Sequence, residues 1–242
     1  MRLRTALVTR PREDAVGVSR ELEDRGFAVR VEPLLDIRIK TGLCLDLTGV
    51  QGFLATSANG VRALAANCPD RALPVWAVGD VTARMAQELG FTHIHSAKGD
   101  AETLAALVGK QADPSAGTLL HAAGTKVAGD VSGKLAALGF AVRREILYDA
   151  VTAEALSDGL IAALEAKAID LALFFSPRTA ATFATLARLA EQGDMVRAVT
   201  AYALSAAVAQ ELAVLPWRAI HIAAKPEQAS LLATIDETEG NI

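Results

Sequence analysis

Short apolar runs alternate with stretches of helical periodicity along almost the whole chain. Residues 5–9 (TALVT) read as a buried strand. In the following 11–25, Val16 and Leu22 fall at spacings that suit an amphipathic helix, which Gly26 would end. Residues 27–31 (FAVRV) are the next strand. Further strands are predicted at 52–56, 75–78, 93–95, 118–121, 141–145, 171–175, 200–204 and 219–222, with helices at 58–66, 81–89, 101–110, 126–138, 154–167, 178–192, 206–213 and 227–235. Repeated strand-then-helix order with short connections predicts parallel sheets covered by helices. The fold class is α/β.

An internal duplication refines this. Gly26-Phe27-Ala28-Val29-Arg30 recurs as Gly139-Phe140-Ala141-Val142-Arg143, each copy closing a strand–helix–strand unit. More loosely, Phe53-Leu54-Ala55-Thr56-Ser57 resembles Leu173-Phe174-Phe175-Ser176, and Met85-Ala86-Gln87-Glu88-Leu89 resembles Val208-Ala209-Gln210-Glu211-Leu212. The order along the chain is therefore a, b, a′, b′, and two similar halves imply two similar domains. Which units share a domain stays open on this ground: a with b and a′ with b′ is the plain pairing. Two extended apolar segments, Glu32 to Ile39 and Ile146 to Val151, each follow a repeated strand and could pair with one another as linkers between domains.

Composition narrows the function classes. Of 242 residues, 52% are hydrophobic but only 5% aromatic, so the cores are aliphatic, and 21% charged residues exclude a disordered chain. A net charge of −4 lacks the basic field of a general nucleic-acid binder. No window carries the apolar length of a membrane span, and the opening MRLRTALVTRPRED is too short in apolar residues for a signal core. Cys44 and Cys68 cannot build a secreted-type disulfide framework, so a cytoplasmic protein with thiols that pack rather than react is expected.

Ligands of open parallel sheets bind outside the carboxyl ends of the strands. Five loops there have suitable chemistry: Thr9-Arg10-Pro11-Arg12, Thr56-Ser57-Ala58-Asn59-Gly60, Gly79-Asp80-Val81-Thr82, Ala123-Gly124-Thr125-Lys126 and Ser176-Pro177-Arg178-Thr179. Small residues at helix starts leave backbone N–H groups to favour anions, although Ser and Thr there also serve simply as caps. Arg10, Arg12 and Arg178 oppose the helix dipole, which an anionic ligand would compensate; solvent-exposed arginines are the alternative. Other chemistries fail. There is no GxGxxG fingerprint and no Gly-x-Ser-x-Gly elbow, and Gly129 to Leu135 only approximates a phosphate loop. His93 and His95 share one strand face without a supporting ligand cluster. Tyr148, one of two tyrosines, lies in a linker-like segment, where its phenol could donate a proton to a leaving group.

Taken together, Leu7 to Glu13 (LVTRPRE), Pro33 to Ile37, Ala55 to Val61, Ala77 to Ala83, Leu147-Tyr148 and Phe174 to Arg178 resemble the uroporphyrinogen-III synthase family over nearly the whole chain. The resemblance implies two similar domains, each a parallel sheet flanked by helices, joined by a two-stranded antiparallel linker. Domain 1 would hold 1–34 plus 151–242, domain 2 would hold 40–146, and 35–39 with 147–150 would be the linkers and hinge. It implies that hydroxymethylbilane, an anionic linear tetrapyrrole, is closed to uroporphyrinogen III with inversion of ring D through a spiro intermediate and loss of water, without cofactor or metal. Tyr148 matches the tyrosine associated with hydroxyl loss; Ser57, Thr82 and Ser176 match substrate-contacting positions. Thr9, Ala58 and Gly124 belong to the same loops, and Arg10 and Arg178 join them on position and charge. Where many members carry a Gly-x-Thr-Thr/Ala loop, this chain has Ser205-Ala206-Ala207-Val208, so Ser205 stands in; Lys126 replaces an arginine. A monomer is expected, with no nucleic-acid or membrane partner, leaving room for transient contact with hydroxymethylbilane synthase.

Two rivals come from other classes. A cytoplasmic hinge-type two-domain protein would bind a small anion without chemistry. A nucleotide-using α/β enzyme would need the glycine fingerprints that are missing.

Overall fold

In the computed structural model, which describes residues 3–125, 129–191 and 193–240, the apolar runs form strands and the periodic stretches helices. The chain passes through β1 (Thr5–Val8), α1 (Arg12–Glu23), β2 (Ala28–Val31), β3 (Leu35–Ile39), β4 (Val50–Ala55), α2 (Ala58–Asn67), β5 (Val75–Ala77), α3 (Asp80–Glu88), β6 (Ile94–Ser96), α4 (Ala101–Gln111), β7 (Thr118–Gly124), α5 (Val131–Ala137) and β8 (Val142–Thr152). It continues through α6 (Asp158–Glu165), β9 (Leu171–Phe174), α7 (Pro177–Leu189), β10 (Thr200–Ala203), α8 (Ala206–Leu212), β11 (Ala219–Ile222) and α9 (Gln228–Glu239).

Local chemistry sets the helix ends. The side chains of Ser57, Asp100, Asp130, Ser157 and Ser176 each accept a backbone N–H in the first turn of the helix they precede, a contact that stabilises by about 1 kcal/mol. At the other end, Gly26 and Gly139 take φ of +81° and +87°, and the N–H groups of Phe27 and Phe140 reach back to the carbonyls of Leu22 and Leu135. This is a Schellman stop, with the following phenylalanine buried against the core. Gly90-Phe91 repeats it at φ +88°, with Phe91 N–H bonded to Ala86. The glycine–phenylalanine half of the five-residue repeat is thus a general helix-stop device of this chain. In α1 the buried residues are Ala15, Val18 and Leu22, while Val16 is 50% exposed. Val16 therefore falls outside the core stripe it was expected to join.

Two compact units result, Met1–Asp36 with Val151–Ile242, and Ile37–Ala150. The first has a five-stranded sheet in the order β11-β10-β9-β1-β2, all parallel. The second has the order β3-β8-β7-β4-β5-β6, with β8 to β6 parallel. Setting β3 aside, the two sheets share one plan: a strand pair from one half of the chain lies beside three strands from the other. The pair β1–β2 joins β9–β10–β11, and the pair β7–β8 joins β4–β5–β6.

The added edge strand runs antiparallel to β8, because the Ala153 N–H bonds to Leu34 O while the Lys40 N–H bonds to Leu147 O. The segments 35–39 and 147–150 thus form a two-stranded ribbon, along which the chain passes between units. Helices cover both faces of each sheet, so consecutive residues of the inner strands β1, β4, β5, β7, β9 and β10 are buried, while the outer strands are only partly so. Leu7 enters one core and Ala6 and Val8 the other; Phe53 and Ala55 face the α2 and α3 side, Leu54 the α4 and α5 side. Complete burial of one such leucine or phenylalanine stabilises by about 1.5–3 kcal/mol. Among the described residues no helix is long and apolar enough to cross a membrane.

Candidate active site

The strand order of an open sheet reverses at one point, and the loops there diverge to leave a crevice at the carboxyl ends. In the first unit that point lies between β1 and β9, in the second between β7 and β4. Four of the five predicted loops lead out of these strands, and the fifth, Gly79 to Thr82, follows the neighbouring strand β5.

In the second unit the reversal point is built around Tyr148. The register between β7 and β8 slips by one residue, Ala123 facing Ile146 and Gly124 facing Tyr148. A bulge breaks the alternation of a strand and re-aims a side chain. Its consequence here is that the consecutive residues Leu147 and Tyr148 both enter the core under α2 and α3. Tyr148 is 8% exposed, and its ring lies on Gly124, where an added Cβ would come within 2.6 Å of Cε2 and 2.7 Å of Cζ. Only glycine leaves that seat open.

The phenol oxygen stands 3.0 Å from Ser57 Oγ. Ser57 caps α2 and accepts the Gly60 N–H at 3.0 Å. The first turn of α2 lies directly on β7: a Cβ at Gly60 would approach Ala122 O to 2.5 Å. Arg144, on β8, donates to the carbonyls of Gly124 at 2.6 Å and Thr125 at 2.9 Å, and the Thr125 N–H bonds to Tyr148 O. Three of the residues singled out in the sequence, Tyr148, Ser57 and Gly124, thus meet. Ala58, the first residue of α2, lies beside them. Thr82 is buried in α3, which follows the neighbouring strand β5. Lys126 lies outside the described residues.

On strand β7, His121 is 2% exposed, with Nε2 3.1 Å from Thr56 Oγ1 and Nδ1 sealed from solvent with no hydrogen-bond partner among the described residues. Burial, helped by the charge of Arg144, pushes its pKa down to about 4, so the ring is neutral near pH 7.

In the first unit, Thr9 is fully buried and its hydroxyl donates to Leu173 O at 2.8 Å, tying β1 to β9 where they diverge. What Thr9 can present to a ligand is its backbone. Arg10 lies over the Phe175 ring, 4.6 Å from its centroid, and donates to Gln228 Oε1 at 2.9 Å. Ser176 caps α7, accepting the Thr179 N–H at 3.2 Å. Arg178, in the first turn of that helix, donates to Thr152 Oγ1 at 2.7 Å. Ser205 occupies the cap position of α8 without a side-chain cap bond. Arg10 and Phe175 bring the loops after β1 and β9 together, whereas Ser205 follows β10, one strand further out. Arg12 lines a cavity of about 580 Å³ with Arg30, Glu32 and Ser157, beyond the end of β2.

Residues 17–233 match the family model of uroporphyrinogen-III synthase HemD. The chain belongs to that family. A uroporphyrinogen-III synthase from Chlorobaculum parvum is 36% identical over 98 residues, which span 36% of this chain and 40% of that relative's length. The crystal structure of uroporphyrinogen-III synthetase from Helicobacter pylori has the same fold, with a TM-score of 0.64 at 16% identity over 96% of this chain and 97% of that one. A mutant uroporphyrinogen III synthase from Thermus thermophilus superposes with a TM-score of 0.52 at 18% identity, covering 98% of both chains.

Within this uroporphyrinogen-III synthase fold, several residues gain a role that their sequence context hides. Arg144 holds the carbonyls beside Tyr148 and His121 ties β7 to Thr56, yet no motif marks either, the one signal being a histidine within an otherwise apolar run. Gly60 stood in a predicted loop, but its close seat on β7 did not show there. Other candidates resolve into structure. Asp130 accepts the Gly133 N–H at 2.8 Å, and a Cβ at Gly133 would strike that carboxylate at 2.2 Å. The phosphate-loop look-alike is therefore a helix start already filled by its own anion. His95 stacks on Trp76, and His93 bonds to Ala72 O. Cys68 packs in the core, where burial raises its thiol pKa, but Cys44 is exposed, contrary to the expectation that both pack.

Proposed function

We propose that this chain closes hydroxymethylbilane to uroporphyrinogen III, inverting ring D through a spiro intermediate and releasing water. The observation that carries the reading is the family match over residues 17–233. The placement of Tyr148 at the reversal point of the second unit's sheet supports it. In the proposed reaction the C–O bond of the hydroxymethyl group breaks with its electron pair going to oxygen, and the Tyr148 phenol supplies the proton that completes water. The resulting azafulvene carbon bonds to the substituted α-carbon of ring D, giving the spiro intermediate. The bond from that carbon to its original methylene bridge then breaks, and the freed methylene carbon bonds to the unsubstituted α-carbon of the same ring. The proton lost from that last carbon as the pyrrole regains aromaticity returns to the phenolate. General acid assistance of this kind contributes about 10²–10⁴ in rate. Holding the chain folded so that the correct carbon is attacked is the larger task, since orientation can supply about 7–11 kcal/mol.

The substrate's acetate and propionate arms need hydrogen-bond donors and cations to hold them. We assign Arg10 and Arg178, with Thr9, Ala58, Thr82, Gly124, Ser176 and Ser205 contributing chiefly backbone N–H groups. Lys126 completes the anion-binding set read from the sequence; Ser57, read there as a further substrate contact, has its hydroxyl on Tyr148 and the Gly60 N–H. The two free thiols suit a cytoplasmic setting.

Isomer analysis tests the reading. Freshly made hydroxymethylbilane is incubated with the protein, the products are oxidised, and types I and III are separated by chromatography. Type III in excess is expected. Type I alone, at the spontaneous rate, would overturn it in favour of a hinge-type anion-binding protein.

A further inference from the structure

We infer that the Ser57 hydroxyl is a positioning group for the Tyr148 phenol rather than a ligand of the substrate. This rests on the reading of Tyr148 as the proton donor. A serine hydroxyl has one proton and two lone pairs. One lone pair of Ser57 is engaged by the Gly60 N–H at 3.0 Å, and the phenol oxygen lies 3.0 Å away on the other side. Two arrangements satisfy this geometry. If the phenol donates to Ser57, its proton is tied up and unavailable to a leaving hydroxyl. If Ser57 donates to the phenol, the phenolic proton is free to leave, and the phenolate formed by proton transfer keeps a hydrogen bond from Ser57.

The surroundings favour the second arrangement during reaction. Ser57 sits at the N-terminus of the ten-residue helix α2, whose positive end stabilises negative charge developing nearby. The chain from Gly60 N–H through Ser57 O–H to Tyr148 O–H polarises each bond in one direction. The ring is seated by Gly124 and re-aimed by the bulge, and among the described residues the Ser57 hydroxyl is the one hydrogen-bond partner that selects which way the phenolic proton points. With its proton given to Tyr148, the Ser57 side chain has no donor left for a substrate carboxylate.

A double-mutant cycle tests this. Rates of type III formation and binding of uroporphyrin, the oxidised product, are measured for wild type, Ser57→Gly, Ser57→Thr, Tyr148→Phe and the Ser57→Gly/Tyr148→Phe double variant. Glycine keeps a serviceable helix start while removing the hydroxyl, and circular dichroism checks the fold. Ser57→Gly is expected to lower kcat about 2–10-fold, the range of one neutral hydrogen bond, with uroporphyrin affinity unchanged; Ser57→Thr restores most of the loss. In the Tyr148→Phe background, removal of the Ser57 hydroxyl should cause no further fall. An equal loss in both backgrounds, or weaker uroporphyrin binding with kcat intact, would mean that Ser57 touches the substrate and would overturn the inference. A wild type that forms type I alone would instead sink the reading on which it rests.

Discussion

His121 makes the stability of the second unit depend on pH in a way that can be worked out from its surroundings. It is 2% exposed, one ring nitrogen bonded to Thr56 and the other sealed with no partner among the described residues. Burial first, and the charge of Arg144 second, push its pKa down to about 4, whereas in the unfolded chain it takes up a proton near pH 6.5. Between those values the unfolded state binds more protons than the folded one, so stability falls as pH falls. The effect is absent above about pH 6.5 and complete below about pH 4. At about 1.4 kcal/mol per pH unit, the interval comes to about 3 kcal/mol.

The perturbation is His121→Gln, which keeps a partner for Thr56 but does not titrate. Trp76 is 4% exposed in the same unit, and the other tryptophan, Trp217, belongs to the first. A Trp217→Phe background therefore makes fluorescence report the second unit alone. Urea unfolding is followed at pH values from about 7 to about 4 with and without His121. Carboxylates titrate in both proteins, so the difference isolates the imidazole. The histidine protein should lose about 3 kcal/mol more than the glutamine variant, with equal denaturant slopes. Parallel losses, within about 0.5 kcal/mol, would show that the buried ring protonates without penalty and would refute the argument.

Other expectations follow from the same contacts. Tyr148→Phe should lower type III turnover at least about tenfold while leaving the fold intact, because a general acid is lost and a buried ring is kept; unchanged kinetics would remove Tyr148 from the mechanism. Gly124→Ala should displace the Tyr148 ring, lowering turnover and destabilising the unit by about 1–3 kcal/mol, checked by kinetics and thermal unfolding together. Arg10→Ala with Arg178→Ala should raise KM about tenfold or more with a smaller change in kcat, and an unaltered KM would make them purely structural. Glu239, largely buried, bonds to Arg4 and to the Tyr202 hydroxyl; burial raises its pKa, but these bonds outweigh that and lower it overall. Glu239→Gln should therefore destabilise the first unit by about 2–3 kcal/mol, read from Trp217 fluorescence.

Local elements were legible in the chain because their causes are local. Apolar runs buried on both sheet faces, serine and aspartate caps, and glycine–phenylalanine stops act within a few residues, so strand and helix identities and the loops at the carboxyl ends could be read directly. The extent of some elements was less so: strand β8 runs 11 residues, through what read as a short strand followed by a linker, because its second half finds a partner in β3. Candidates for chemistry were visible as residue types in loops, but not their engagement. Thr9 is turned to Leu173 and Asp130 fills its own helix start, since short polar side chains take the nearest backbone partner.

Which halves share a sheet was decided by tertiary structure. The repeat a, b, a′, b′ allows two pairings, and the glycine–phenylalanine motif recurs a third time at Gly90 as a plain helix stop. Parallel strands have no short connection to record their neighbours, so pairing is set by which buried faces fit. The meeting of Tyr148, Ser57 and Gly124 is of the same kind. It depends on a one-residue slip between β7 and β8 and on α2 lying directly on the β7 backbone. Strand alternation alone would have sent Tyr148 to the opposite face from Leu147, and the residues that prevent this stand far from it in the chain.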